Sequence, residues 1–183
     1  MANQSIDKHQ LVISEAQLHE RIAAMGRQIS HDYQGRVVHC VGILDSAFVF
    51  VADLIRQIDA SVRCQFVKPY TREILDHHTA TREIFFAPEV DVEGRHVLLC
   101  EGILSSGQTI DFLLRNFQAR GAASIALCCM LDRPSDRHVN VDVAYRGFEV
   151  GPKWLSGFGL GSPAEHLDRN IPYIFAAEDQ RPQ

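Results

Sequence analysis

Residues 96–121 read HVLLCEGILSSGQTIDFLLRNFQARG, and this stretch decides the fold. His96 to Cys100 is a short apolar run of strand character that breaks at Glu101-Gly102. A turn of small residues, Ser105-Ser106-Gly107-Gln108-Thr109, follows, after which Ile110, Leu113, Leu114 and Phe117 recur at helical spacing. Gly121 is the expected stop. The order is strand, loop, helix. Unpaired N–H groups and hydroxyls at the positive end of a helix dipole suit a phosphate, so Ser105 to Thr109 reads as a phosphate cradle. An ordinary strand-to-helix connection with a good N-cap has the same pattern. Gly102 to Thr109 also approaches the P-loop pattern G-x-x-x-x-G-K-[ST], but Gln108 stands where the phosphate-reaching lysine is required.

The surrounding chain bounds the possibilities. It has 183 residues, 46% of them hydrophobic, enough for one domain with a substantial core and short for two. A net charge of -5 argues against a general nucleic-acid or membrane surface, since both need clustered basic charge. No apolar run reaches bilayer-spanning length, and MANQSIDKHQ lacks the apolar core of a signal peptide, so a cytoplasmic protein is expected. Cys40, Cys64, Cys100, Cys128 and Cys129 lie in apolar segments without Cys-x-x-Cys spacing and read as buried reduced thiols. His77-His78 reads as part of an exposed polar loop, and no metal ligand set is expected.

Loose tails are expected at about 1–10 and 178–183. Leu11-Val12-Ile13 reads as a strand, and Ser14 to Gln17 as a capping box opening a helix with Leu18, Ile22, Met25 and Ile29 on one stripe. Arg36 to Leu44 is a nearly continuous apolar run, as a parallel strand buried on both faces should be. A helix with Phe48, Val51, Ala52 and Ile55 inward comes next, then a strand at Val62 to Val67. Residues 68–83 lose period and become polar, which suggests a mobile loop. Ile84 to Phe86, Ser124 to Leu131, Val141 to Tyr145 and Ile171 to Ala176 are further strands, with a turn at Gly151-Pro152. Alternating apolar strands and helices predict an α/β fold with a mainly parallel sheet and ligands at the carboxyl ends of its strands.

From about Leu11 to Phe175 these segments resemble the hypoxanthine-guanine phosphoribosyltransferase family. The most specific matches are Leu131-Asp132-Arg133-Pro134, Arg146 to Val150, Lys153 to Leu160 and Arg169 to Ile174, in that order. The resemblance implies a type I phosphoribosyltransferase fold with a small hood built from the termini, and a homo-oligomer. It implies transfer of a phosphoribosyl group from phosphoribosyl diphosphate, bound with Mg2+, to a purine, giving a nucleoside monophosphate. By position, Ser105, Ser106, Gly107, Gln108 and Thr109 would hold the 5′-phosphate and Glu101 would face the ribose hydroxyls. Arg133, Trp154 and Leu155 would bind the base, Trp154 by stacking. Asp45, Ser46, Ala47 and Arg169 would line the pyrophosphate side, and Tyr70 would belong to the mobile loop over the reaction.

The departures fall at the chemistry. Gly102 replaces a second ribose-binding carboxylate, and Ser105 an aspartate that exchanges a proton with the purine. Gly161 replaces a metal-linked aspartate, and Asp45-Ser46-Ala47 the lysine-glycine-glycine turn that receives pyrophosphate. One lost proton-transfer group costs about 10²–10⁴-fold in rate. The expectation is therefore a homologue that binds a purine nucleotide with impaired catalysis, or a non-catalytic regulatory pseudoenzyme. An RNA-binding regulator would need a basic face that the charge balance disfavours.

Overall fold

Ser14 opens the first long helix as its sequence dictates. Its hydroxyl accepts from the Gln17 amide at 3.3 Å while the Gln17 side chain accepts from the Ser14 amide at 2.9 Å, so two otherwise orphaned donors are satisfied. The computed structural model describes residues 10–76, 79–87, 89–162 and 167–177. Both expected tails and the His77-His78 pair lie outside the described residues, save for Gln10 at the inner end of the first tail. Strand β1 (Gln10–Ile13) leads into helix α1 (Glu15–Asp32). Leu18, Ile22, Met25 and Ile29 of α1 are fully buried, each contributing about 1.5–3 kcal/mol by leaving water.

Strand β2 (Val38–Ile43) is buried at every position, as expected of a central parallel strand. In helix α2 (Phe48–Ile55) the inward stripe is Phe50, Val51 and Leu54, continuing from buried Ala47, and Phe48 is exposed. The phase expected from Phe48, Val51, Ala52 and Ile55 is thus rotated. The run FVFVADLI is apolar on most sides, so its period alone does not set which side faces inward.

Strands β3 (Val62–Asp76) and β4 (Thr79–Ala87) pair antiparallel from Lys68↔Ala87 to Asp76↔Thr79. The polar excursion expected as a loop over 68–83 is therefore a backbone-paired ribbon; main-chain hydrogen bonding does not require an apolar period. Strand β5 (His96–Leu104) runs four residues past the expected break. Glu101 and Gly102 lie within it, because pairing with strand β6 (Ser124–Asp132) continues through Ile103↔Leu131 and Leu104↔Asp132.

Helix α3 (Gln108–Ala119) follows β5 and ends before Gly121, whose φ of +80° suits the left-handed residue after a helix. Val141 to Ala144 are not a strand; the edge strand is β7 (Tyr145–Glu149), parallel to β6. Strands β8 (Leu155–Ser156) and β9 (Ile174–Ala176) complete the set.

The main sheet has the order β4-β3-β2-β5-β6-β7, parallel throughout except for edge strand β4. Alternate residues face opposite layers: Cys40, Leu98 and Cys100 join α1 and α2, while Val41, Leu99 and Cys129 join α3. All five cysteines are free thiols; Cys64 is half-buried and the other four are buried. A second, antiparallel sheet of order β1-β9-β8 forms the expected hood from the two ends of the chain. No helix among the described residues is long and apolar enough to cross a membrane.

Candidate active site

The carboxyl ends of β2, β5 and β6 deliver Asp45-Ser46, Ser105 and Arg133 to one side of the sheet, and the hood supplies Trp154 and Leu155 opposite. Between them is a cavity of about 270 Å³, lined by Asp45, Ser46, Ser105, Arg133, Trp154 and Arg169 together with Ile103, Leu155, Leu160 and Gly161. A second cavity of about 180 Å³ is lined by Glu101, Ser105, Ser106, Gly107 and Thr109. Ile103 and Ser105 line both, so the two cavities share a wall.

The smaller cavity is the cradle at the start of α3. Gly107 is the N-cap with a φ of +81° and gives no side-chain cap bond, so the first-turn amides of Thr109 and Ile110 keep their donors for another acceptor, while that of Gln108 donates to Ser106 Oγ. The loop is braced from behind. The amides of His138 and Val139 donate to the Ser106 carbonyl at 2.9 and 3.0 Å. A Cβ at position 107 would lie 2.7 Å from the Val139 carbonyl and 3.3 Å from Arg137 Cδ, so only glycine suits the close approach. Gln108 is exposed and does not line the cavity; its amide lies 3.4 Å from Ser106 Oγ.

Glu101 is only 9% exposed. Its Oε1 accepts from Ser46 Oγ and from the Gly102 amide, both at 2.7 Å. Burial pushes its pKa up to about 7, although Ser46 and the amides of Gly102 and Ile103 favour the ionised form. Ser46, expected on the pyrophosphate side, thus also reaches the acid. Its carbonyl fills the space beside Gly102, where a Cβ would lie 2.6 Å away. A second carboxylate at 102 is excluded unless the 45–47 segment moves. Ala47 is buried at the start of α2 and lines neither cavity.

On the base side, Arg133 is buried, donating from Nη2 to the Lys153 carbonyl at 2.7 Å and lying 3.4 Å from Asp136. Its Nε is buried without a partner. Trp154 is 37% exposed, and its indole nitrogen donates to the Gly161 carbonyl at 3.3 Å, which ties the aromatic to the far end of its hairpin. Leu155 is buried and paired with Ala176 in the hood sheet. Arg169 donates to the Gly159 carbonyl at 2.6 Å. The Asp45 carboxylate accepts from Lys68 Nζ at 2.9 and 3.1 Å, and the same bond holds the Lys68 pKa above its ordinary value. Tyr70 sits two residues along β3 from Lys68 and is exposed.

One charged group escaped the sequence reading. Asp132 is buried and takes Arg137 on one oxygen and Arg146 on the other, the latter at 2.8 Å. Arg137 packs behind the cradle loop at Gly107, and Asp132 and Arg146 stand in the sequence only within the segments that resemble the family. For magnesium the residues present do not form a ligand set. Gly102 and Gly161 carry no donor side chain, Oε1 of Glu101 is taken by two neutral donors, and no three potential ligands cluster among the described residues.

A family model of the phosphoribosyl transferase domain matches residues 14–162. A hypoxanthine phosphoribosyltransferase of Haemophilus influenzae is 34% identical over 171 residues, covering 90% of this chain and 92% of the relative. The corresponding enzyme of Escherichia coli is 33% identical over 167 residues, covering 90% and 93%. The crystal structure of a hypoxanthine phosphoribosyltransferase from Staphylococcus aureus superposes with a TM-score of 0.86 at 27% identity, over 97% of each chain.

Proposed function

The chain belongs to the phosphoribosyltransferase family, as a homologue of the hypoxanthine-guanine enzymes, and from that premise we propose that it captures a purine nucleoside 5′-monophosphate while transferring the phosphoribosyl group poorly. The observation that carries this reading is the pair of cavities meeting at Ile103 and Ser105. One offers helix-terminal amides to a phosphate, and the other offers Trp154, Leu155 and Arg133 to a flat heterocycle. A mononucleotide has this bipartite form.

Group transfer needs more. The transition state resembles an oxocarbenium ion, so the protein must position both partners, stabilise charge and handle a proton at the base. Ser105 lies between the cavities, but its hydroxyl is no acid or base near neutral pH. Asp45 presents a carboxylate, paired with Lys68, to the cavity that would receive pyrophosphate. Phosphoribosyl diphosphate should therefore bind less well than a monophosphate, and any magnesium would arrive on the diphosphate. The packing of the Ser46 carbonyl against Gly102 favours a nucleotide-binding role without turnover as the second reading.

Calorimetry with the monophosphates of hypoxanthine, guanine and xanthine, beside pyrophosphate release from the three free bases, tests both. Monophosphate binding with slow or absent release is expected. Failure of all three monophosphates to bind refutes the reading, and release at a rate ordinary for an enzyme refutes impaired transfer.

A further inference from the structure

Glu101 is a buried carboxyl in the wall of the phosphate cradle, and the groups around it supply no countercharge. From β6 it faces the Cys129 thiol, its register partner. Burial holds that thiol up to about 12, so it stays neutral over the ordinary pH range. From the β2 end it meets Ser46, next to Asp45, whose charge is taken up by Lys68. From α3 the cavity wall is Thr109 and Ile110, neither of which titrates. No lysine or arginine is among the groups that act on Glu101. The two hydrogen bonds of 2.7 Å both end on Oε1, and the Ile103 amide is the third neutral donor acting on the carboxyl.

A phosphate dianion in a cavity of about 180 Å³ would lie beside an ionised carboxyl with little water between them. Two anions at such a separation repel strongly in a medium of low dielectric. A single proton on the carboxyl removes the repulsion and turns an acceptor into a donor. We propose that Glu101 takes up one proton from solvent as a phosphate monoester enters the cradle, and that the protonated carboxyl then donates to the ligand. No covalent bond changes. The inference rests on the phosphate half of the function proposed above and is independent of the purine half.

Because the free carboxyl titrates near neutrality, uptake is confined to the alkaline side, where Glu101 is ionised before ligand arrives. Affinity should then fall with rising pH, by about five- to tenfold between pH 7.5 and 8.5. The ligand's own second protonation, near pH 6, lies below this window.

The test is titration calorimetry with ribose 5-phosphate and, separately, inosine 5′-monophosphate at pH 7.5 and 8.5, in buffers of different ionisation enthalpy. Uptake approaching one proton per site is expected for the native protein and none for Glu101→Gln. Should Glu101→Gln fail to fold, Ser46→Ala serves. Removing a donor to the ionised carboxyl raises Glu101 further, so uptake should shrink at pH 7.5 and persist at pH 8.5. Ribose 5-phosphate binding without proton uptake, uptake unchanged by these substitutions, or no binding of ribose 5-phosphate would each overturn the proposal. Ribose 5-phosphate binding with uptake, beside an inosine monophosphate that binds no more tightly, would leave it standing and refute the purine reading instead.

Discussion

Gly102→Ala is the sharpest test of how this site is built. The position lies in β5 with no positive φ, so alanine is compatible with the backbone and the penalty is purely steric. The added Cβ would sit 2.6 Å from the Ser46 carbonyl oxygen, 2.7 Å from its carbon and 2.9 Å from its Cβ. The first two are backbone atoms, so no rotamer change relieves the overlap, and the 45–47 segment must shift. Overpacking of this kind costs about 1–3 kcal/mol. The shift also pulls Ser46 Oγ from Glu101, a bond to a charged group worth about 1.5–3 kcal/mol when the acid is ionised. A combined loss of at least roughly 3 kcal/mol lowers the midpoint by at least about 6–12 °C in a chain of this size. Scanning calorimetry at pH 8 measures it, with Gly151→Ala as control, since a Cβ there meets nothing within 4 Å. A Gly102→Ala midpoint within 1 °C of the native value would refute the account of the 45–47 segment, and with it the claim that a second carboxylate cannot be accommodated beside Glu101.

The remaining predictions concern ligand, pH, the arginine pair and turnover. Trp154→Ala should weaken inosine monophosphate binding by about 1–3 kcal/mol, or roughly 5- to 150-fold, and leave ribose 5-phosphate unchanged, as calorimetry on both would show. His39 is buried and bonded to Gln65 at 2.7 Å, and burial lowers its pKa below the ordinary 6.5. The unfolded chain then binds the proton more readily, so its contribution is full above about pH 6.5 and declines as pH falls below. Denaturant midpoints from pH 7.5 to 5 should show this slope flattened in His39→Gln. Asp132→Ala leaves Arg137, only partly exposed, without its carboxylate and should cost up to about 3–5 kcal/mol by denaturant unfolding, much of it recovered in Asp132→Leu with Arg137→Met. Ser105→Asp should raise pyrophosphate release with hypoxanthine at least about 10²-fold, the lower range for one proton-transfer group; no gain would refute Ser105 as the missing link.

Local patterns carried much of this protein. The capping box at Ser14, the apolar stripe of α1, the continuous apolar run of β2 and the strand-loop-helix of residues 96–121 each depend on neighbours within a few positions, so a linear reading finds them. The replacements at Gly102, Ser105 and Gly161 are equally plain in the sequence. The inward face of α2 was not, because an almost wholly apolar helix has no phase until the sheet beneath it is placed. Nor was the β3–β4 ribbon, held by main-chain bonds that leave no side-chain period.

What only tertiary structure decided is how the replaced residues are accommodated. Gly102, Gly159 and Ser46 are far apart in sequence, yet the Ser46 carbonyl is wedged so that a Cβ at either glycine would lie within 3 Å of it. Asp132, buried, gathers partly buried Arg137 and half-exposed Arg146 from separate segments, and Glu101 becomes a near-neutral acid because three segments exclude water from it. Hydrophobic period and turn chemistry act between near neighbours, whereas desolvation and steric exclusion depend on which distant segments the fold presses together. The type of site was therefore legible from the linear chain, and the protonation and spacing of its groups only from the folded one.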